Sequence, residues 1–272
     1  MKLSYPAALG WALGATLLLM FGMGLLKQLR PGAINDIVSL TAVEAAVYLL
    51  VLFGVLRLHA PEEQSRSALG LRPSHPAMPV FGAALGLLLQ LPAESLRQLS
   101  ARWLPESDAE LAYRATLLRA DDVLRAVVLI VCVACVGPLV EELFFRGALF
   151  VGLRRNYSAS GAALVTAIAF VIVAHPNPKL WAPLLPVGLV LGYLRAASGS
   201  LFACVALHVA FNGATVAAYL TGVASVTRPL ILPWPVLIAV WIGTALLLFL
   251  VQYVARKSPE AEAARAEDAD EP

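Results

Sequence analysis

Apolar segments of about twenty residues recur along most of this sequence. A helix needs about 20 apolar residues to cross the hydrocarbon core of a bilayer, where only helices and closed barrels satisfy their backbone polar groups. The composition agrees, because 60% of the residues are hydrophobic and 14% are charged, against roughly 45–50% and 25% in soluble domains. We count eight such segments, which run near residues 7–26, 35–57, 77–93, 123–150, 160–175, 181–197, 201–222 and 231–254. The sequence therefore predicts an all-α, polytopic membrane protein with about eight transmembrane helices.

Composition also distinguishes the N-terminal and C-terminal parts of the chain from the part between them. Residues 1–122 hold the first three apolar segments and end in a more polar stretch at 94–122, where Leu and Trp recur at near-helical spacing beside Arg. This stretch is typical of an interfacial helix, which is either a connector lying on the bilayer or a lid beside a site. A last transmembrane helix is expected within 223–254. The Ala- and acid-rich residues 255–272 are expected to form a disordered cytosolic tail.

The charged residues indicate orientation and exclude several classes of partner. The net charge is only +2 and the basic residues are scattered, so no nucleic-acid partner is expected. A mild excess of Lys and Arg on one side of the predicted topology favours an inner (plasma) membrane protein with both termini in the cytoplasm. Neither an H-E-x-x-H motif nor a G-x-S-x-G or Walker motif occurs, which argues against a zincin, a serine hydrolase of that type and a nucleotide-driven transporter.

Two adjacent carboxylates, Glu141 and Glu142, lie within an otherwise apolar segment, just after the helix-breaking pair Gly137 and Pro138. Glu142 and Arg146 are four residues apart, which is the favourable spacing and order for a helical ion pair. Glu141 is rotated about 100° around the helix axis, so its carboxylate is expected to stay free and to act as a general base. The alternative is a structural Glu and Arg cluster that ties helices together.

Further polar residues occur in later apolar segments. His175 ends one segment and precedes Pro176, so it is either a satisfied core histidine or a group at the edge of a wet cavity. His208 and Asn212 share one helix face, where they form either a clasp between helices or a site that holds water or stabilises an oxyanion. Together with the acids they predict a polar intramembrane cavity, and a Glu with two His is also a known zinc ligand set.

These residues lie in motifs that resemble those of a known family. The motifs are EELFFRG at 141–147, FVIVAH at 170–175 and LRAASGSLFACVALHVAFN at 194–212. They resemble the CAAX protease and bacteriocin-processing (CPBP) intramembrane endopeptidases, which include the Ras-converting prenyl-protein endopeptidase. The resemblance covers roughly residues 123–222, which would be the catalytic core. One departure is that Phe170 lies five residues before His175, where the family pattern has four.

The resemblance implies a role for each polar residue of the motifs. Glu141 would activate a water, Glu142 would support it, Arg146 would balance charge, His175 and His208 would orient water or substrate, and Asn212 would stabilise the oxyanion. If a metal such as zinc is bound, Glu141, His175 and His208 would be its ligands. The substrate would be a membrane-anchored protein or peptide at the lipid bilayer. The alternatives are a proton-coupled transporter and a non-catalytic bacteriocin-immunity protein of the same fold.

Overall fold

The computed structural model describes residues 1–72, 74–175, 177–223 and 233–257, and all regular secondary structure in these ranges is helical. We label the main helices α1 (Tyr5–Leu29), α2 (Ile37–His59), α3 (Ala77–Ser100, with a turn at Leu89), α4 (Asp108–Leu118), α5 (Val123–Arg154), α6 (Ala159–Val173), α7 (Trp181–Ser198), α8 (Leu201–Leu220) and α9 (Trp234–Lys257). Shorter helical turns occur at Pro31–Asn35, Ser65–Ala68 and Pro178–Leu180. Most of the predicted tail, and part of the loop before α9, lie outside the described residues.

Seven of the described helices are long and apolar enough to cross a membrane. The predicted eighth segment, near 160–175, corresponds to α6, which is apolar but shorter than the others. Several outward-facing side chains are large and apolar, with Phe21, Phe53 and Phe249 exposing 69%, 66% and 67% of their surface. Such exposure is expected where lipid is the solvent. The prediction of an all-α polytopic membrane protein is confirmed.

Contacts between loops show which of them share one end of the helix bundle. At one end, the Met1 amine forms an ion pair with Glu63, after α2, and Glu63 also binds Arg155, after α5, at 2.5 and 2.8 Å. At the other end, the Tyr113 hydroxyl of α4 donates to the Ile34 carbonyl between α1 and α2 at 2.8 Å. The N-terminus therefore lies on the same side as the loops that follow α2 and α5, as the predicted topology requires.

Two glycine pairs with GxxxG spacing allow close helix packing. Gly82 and Gly86 of α3 lie against the backbone of α8, where a side chain at either position would collide with the Ala203 or Leu207 carbonyl. One turn further, the Gln90 amide donates to the Phe211 carbonyl of α8. Small residues at this spacing let backbones approach closely in membranes, where apolar burial does not itself drive helices together. This packing fixes the position of α8, which carries His208 and Asn212.

The second pair fixes α7 against α6. A Cβ atom on Gly192 would lie 2.8 Å from the Ala163 carbonyl oxygen, and one on Gly188 would lie 2.9 Å from Val171. The Gly188 carbonyl in turn accepts a 3.4 Å hydrogen bond from the Arg146 guanidinium of α5. Close α6–α7 packing therefore continues directly into the polar centre of the bundle.

Candidate functional site

The helix that carries the paired carboxylates is interrupted twice by π-helical turns. In α5, π-helical turns cover Ile130–Val136 and Leu143–Leu149, and the short α-helical stretch between them is Gly137–Glu142. Such turns are uncommon in proteins and often occur at functional sites. Here they enclose the stretch that ends with Glu141 and Glu142. Pro138, which cannot donate a backbone hydrogen bond, lies three residues before Glu141.

Glu142 is the centre of a fully buried polar cluster. Its Oε1 atom accepts from Arg146 Nη1 at 3.0 Å, which is the ion pair expected from the spacing, and lies 2.9 Å from His208 Nδ1. The side chains of Glu142 and Arg146 are completely buried, and His208 is 4% exposed. Because a buried ion without a partner is costly, the three groups stabilise one another only as a set. The contact with His208 joins α5 to α8.

Glu141 lies on the other side of the His208 ring. His208 Nε2 is 3.6 Å from Glu141 Oε2, which is longer than a hydrogen bond. The imidazole therefore has one carboxylate near each ring nitrogen, but only Glu142 is bonded to it and to Arg146. Glu141 is buried and is not paired with Arg146, so the structure separates the two carboxylates in the way that their positions on the helix predict.

A third π-helical turn accounts for the unusual spacing between Phe170 and His175. The turn covers Ala169–Val173, and the hydrogen bond that ends it joins the Ala174 amide to the Ala169 carbonyl, five residues earlier. His175 Nδ1 is likewise 2.8 Å from the Phe170 carbonyl oxygen, and the two rings are in edge contact with centroids 5.0 Å apart. A residue five positions away is a neighbour in a π-turn, which compensates for the extra residue.

The Phe170 ring connects the two histidines and the arginine. It contacts the His208 ring edge-on at 5.6 Å, and the Arg146 guanidinium lies over its face, 4.7 Å from the centroid. His175 thus reaches the cluster through this ring rather than through a carboxylate. Sequence reasoning treated Phe170 as a motif residue only, whereas in the structure it lies between both imidazoles.

Asn212 is held by the backbone of α5. Its Nδ2 atom donates to the Val133 carbonyl in the first π-helical turn at 3.0 Å. The carboxamide has a second N–H that this bond does not use. Asn212 is therefore fixed on the same α5–α8 interface as His208, one turn away, but it is not bonded to the carboxylates.

Sequence reasoning missed Glu44 of α2. The Glu44 carboxylate lies over Gly137, one helical turn before Glu141, where an added Cβ atom would be 3.5 Å from Glu44 Oε2, and the Glu44 and Glu141 carboxyl groups interact electrostatically. The signal was present, because Glu44 is an acid in the middle of the apolar segment near 35–57. An acid in such a position indicates a functional site by the same argument that singled out Glu141.

A second missed residue, Arg195, supports the cluster from outside. Its guanidinium is buried and donates to the carbonyls of Arg146 at 2.9 Å, Leu69 at 3.1 Å and Gly70 at 3.2 Å, and also to that of Gly199. Gly70 has φ +59°, and a side chain there would collide with the guanidinium. Arg195 thus fixes the backbone at Arg146 through neutral carbonyl groups.

The predicted zinc ligands have suitable chemistry but do not converge. His208 and His175 each use Nδ1 toward an acceptor, Glu142 or the Phe170 carbonyl, and this is how metal-binding imidazoles are commonly oriented. In the described part of the chain, however, no three His, Cys, Asp or Glu side chains lie close enough together to hold one metal ion. As arranged, Glu141, His175 and His208 do not form a zinc site, and zinc binding stays a prediction.

The predicted interfacial stretch contacts the chain near His175. Glu110 of α4 forms an ion pair with Lys179, in the turn before α7, at 2.6 and 2.7 Å. The hydrogen bond from Lys179, together with those from Ser107, lowers the pKa of the Glu110 carboxyl to about 2. Helix α4 is therefore attached to the segment that follows His175, at the end of the bundle opposite the N-terminus.

A cavity elsewhere in the described part of the chain does not contain the predicted site. It has a volume of about 530 Å³ and lies between α6, α7 and α9, where Tyr193, Gln252 and Arg256 are its main polar lining residues. The carboxylates and imidazoles described above lie instead among α2, α5, α8 and the end of α6. Their mutual contacts define the candidate active site.

Comparison with known proteins identifies the region that holds this site. A family model described as "Type II CAAX prenyl endopeptidase Rce1-like" matches residues 123–214. No curated protein and no solved structure matches the chain. The match includes every site residue named from the three motifs, and it excludes Glu44. Over residues 123–214 the chain is thus similar to the Rce1-like family of type II CAAX prenyl endopeptidases, which confirms the resemblance seen in the motifs.

Proposed function

We propose that this protein is an intramembrane endopeptidase that hydrolyses a peptide bond near the membrane surface in a lipid-anchored or membrane-tethered protein or peptide. The match of residues 123–214 to the Rce1-like family model supports a CAAX-type intramembrane protease at the level of the family. The observation that carries the finer proposal is the pair formed by Glu141 and His208, a buried carboxylate 3.6 Å from an imidazole nitrogen, while Glu142 binds Arg146 and the other ring nitrogen of His208.

Glu141 is the general base in this proposal. A water beside its carboxylate gives up a proton to Glu141, and the water oxygen attacks the carbonyl carbon of the scissile peptide bond. The C–N bond of the resulting tetrahedral intermediate then breaks, and the proton passes from Glu141 to the leaving amine. Atoms balance with water as the sole co-reactant. General acid–base catalysis of this kind contributes roughly 10²–10⁴-fold to a rate.

Glu142 and Arg146 have a supporting role in this scheme. The ion pair fixes His208 through Nδ1 and leaves Nε2 facing Glu141, where it orients the water. Asn212 lies one turn along the same helix, and its unused N–H is suited to the developing oxyanion, since removing one such donor typically costs about 10²–10³-fold in kcat. His175 positions the substrate beside the Phe170 ring.

The proposal also includes a location. We infer an inner (plasma) membrane protein with both termini in the cytoplasm. The shared end of the bundle that holds Met1, Glu63 and Arg155 supports this topology, and the basic residues on that side favour the cytoplasm. Labelling of single cysteines placed next to Met1 and in α4 tests it, because only the first should be protected from an impermeant reagent in intact cells.

The function is tested by mapping C-termini of membrane proteins in cells that carry the wild type, Glu141→Gln or His208→Ala. We expect new C-termini that require the wild-type protein and that disappear in both variants. Glu62→Gln, an exposed acid far along the sequence from the motifs, is the control and should leave them unchanged. Identical C-termini with wild type and Glu141→Gln contradict the proposal, and solute uptake into proteoliposomes by both proteins would favour the transporter alternative.

A further inference from the structure

Glu44 brings a second acid to Glu141 from a helix outside the family-matched region. Helix α2 passes alongside Gly137, and an added Cβ atom there would be in ordinary contact with Glu44 Oε2, 3.5 Å away. Gly137 and Glu141 are four residues apart on one face of α5, so the Glu44 carboxylate also lies beside Glu141. One turn further along α2, the Tyr48 ring packs against Phe144 and Phe145, with centroids 5.6 and 6.0 Å apart. Aromatic packing therefore holds this part of α2 firmly against α5.

A hydrogen bond between the Glu44 and Glu141 carboxyl groups would require a particular protonation state. An ionised carboxylate is only an acceptor, so two carboxyl groups can hydrogen-bond only when one of them carries a proton. Two acids that share one proton are a known catalytic arrangement in other hydrolases. Here Glu141 lies between Glu44 on α2 and His208 on α8, and Glu142 is separately neutralised by Arg146.

We propose that Glu44 is a positioning residue for the proposed reaction, and that its carboxyl hydrogen-bonds Glu141 and holds that carboxylate facing His208. The inference rests on the proposed function, because it assigns a second residue to the same site. Without Glu44, Glu141 keeps its helix position but loses the contact that fixes its side-chain rotamer, and a displacement of about 1 Å at a reacting group can cost roughly 100-fold in rate.

Three variants separate this role from a purely structural one. Glu44→Leu removes the hydrogen bond at similar volume, whereas Glu44→Gln keeps an amide that can donate to Glu141 or accept from it. Thr41→Val is the matched control, since Thr41 is a buried polar residue on the same helix, three positions earlier. Thermal unfolding in detergent checks that all three variants fold.

Kinetics with an S-farnesylated fluorogenic peptide that ends in a CAAX sequence form the first test. We expect Glu44→Leu to lower kcat about 100-fold with little change in KM, Glu44→Gln to restore most of the activity, and Thr41→Val to match the wild type. A purely structural role predicts equal losses in the Leu and Gln variants together with lower thermal stability, and that result would overturn the inference.

Infrared difference spectroscopy of the purified protein tests the contact without any substrate. The wild type and Thr41→Val should show the carbonyl band of a hydrogen-bonded, protonated carboxyl that is lost in Glu44→Gln and shifted or lost in Glu141→Gln. Unchanged spectra in the two variants would refute the hydrogen-bonded pair. If Glu141→Gln is inactive while Glu44→Leu has wild-type kcat, only this inference fails; if Glu141→Gln is active, the proposed function fails as well.

Discussion

Substitution of Gly86 by Ala should displace α8, the helix that carries His208 and Asn212, although the nearest neighbours of Gly86 are not site residues. Gly86 lies where α3 approaches the backbone of α8. An added Cβ would be 3.0 Å from the Phe211 amide nitrogen and 3.1 Å from Ala210 Cβ, and closer still to the Leu207 carbonyl oxygen. None of these neighbours is the flexible end of a side chain that could rotate away. The two helices must therefore separate.

The size of the effect follows from contact distances. Attractive carbon–oxygen contacts have a separation of about 3.3–3.6 Å, so α8 must retreat from α3 by about 1 Å next to Leu207. His208 is the following residue and would move relative to Glu142, to which it is bonded at 2.9 Å. We expect overpacking to cost about 1–3 kcal/mol of stability and the displacement of His208 to lower kcat about 100-fold.

The assay compares Gly86→Ala with Gly14→Ala in purified protein. Gly14 lies within α1 and an added Cβ there would meet nothing within 4 Å, so Ala should be neutral or should stabilise the helix by up to about 1 kcal/mol. Thermal unfolding and cleavage of the farnesylated peptide are measured for both. Wild-type kcat and unfolding temperature in Gly86→Ala would refute the claim that α3–α8 contact positions the site.

Three further predictions concern the cluster and its surroundings. Glu142→Leu leaves the buried Arg146 charge without its carboxylate and should cost about 3–5 kcal/mol in chemical unfolding; a loss below 1 kcal/mol would contradict a buried pair. Phe170→Ala should lower the free energy of unfolding by a similar amount, about 3–5 kcal/mol, and should lower activity, because both imidazoles pack on the Phe170 ring. An unchanged free energy of unfolding would contradict that packing role. Because the pKa of Glu110 falls from 4.5 to about 2 in the folded protein, stabilisation of α4 by Lys179 should be complete above pH 4.5 and be lost as the pH falls toward 2. This stabilisation is measured by hydrogen exchange of the α4 amides in the wild type and in Lys179→Met. Equal protection of α4 in the two proteins at pH 7 would show that the ion pair does not stabilise α4.

Much of the architecture could be predicted from hydrophobic segments alone, because the cost of burying backbone polar groups in lipid leaves few alternatives to helices. The positions of all eight apolar segments correspond to described helices, including the short α6. The end of α3 was less predictable. It continues to Ser100, past the expected end near 93, so that the first residues of the predicted interfacial stretch belong to α3, where Glu94 and Arg97 pair with each other at 2.7 and 2.8 Å.

The pairing of Glu142 with Arg146 could be predicted from the sequence because it depends only on helical spacing. Partners on other helices could not be predicted, since spacing along one helix does not indicate which face packs against which neighbouring helix. The contacts of His208 with Glu142, of Glu44 with the part of α5 that carries Glu141, and of Arg195 with the Arg146 carbonyl all depend on packing between helices. The GxxxG pairs on α3 and α7 were visible in the sequence, but their partner helices were not.

The five-residue spacing of Phe170 and His175 shows a different limit. A pattern based on α-helical periodicity treats the extra residue as a departure from the motif. In the structure the π-helical turn at Ala169–Val173 includes the extra residue and keeps the two rings in contact. Insertion of one residue into a helix is absorbed locally in this way without moving the flanking turns, and that outcome cannot be deduced from periodicity.

The most direct test of the account is isotope incorporation during cleavage. The farnesylated peptide is incubated with the wild type in ¹⁸O-labelled water, and the new C-terminal carboxylate is analysed by mass spectrometry. Attack by a water that Glu141 deprotonates predicts one ¹⁸O atom in that carboxylate with the wild type, and no labelled product with Glu141→Gln. Labelled product formed by Glu141→Gln at the wild-type rate would contradict the central claim that Glu141 activates the water.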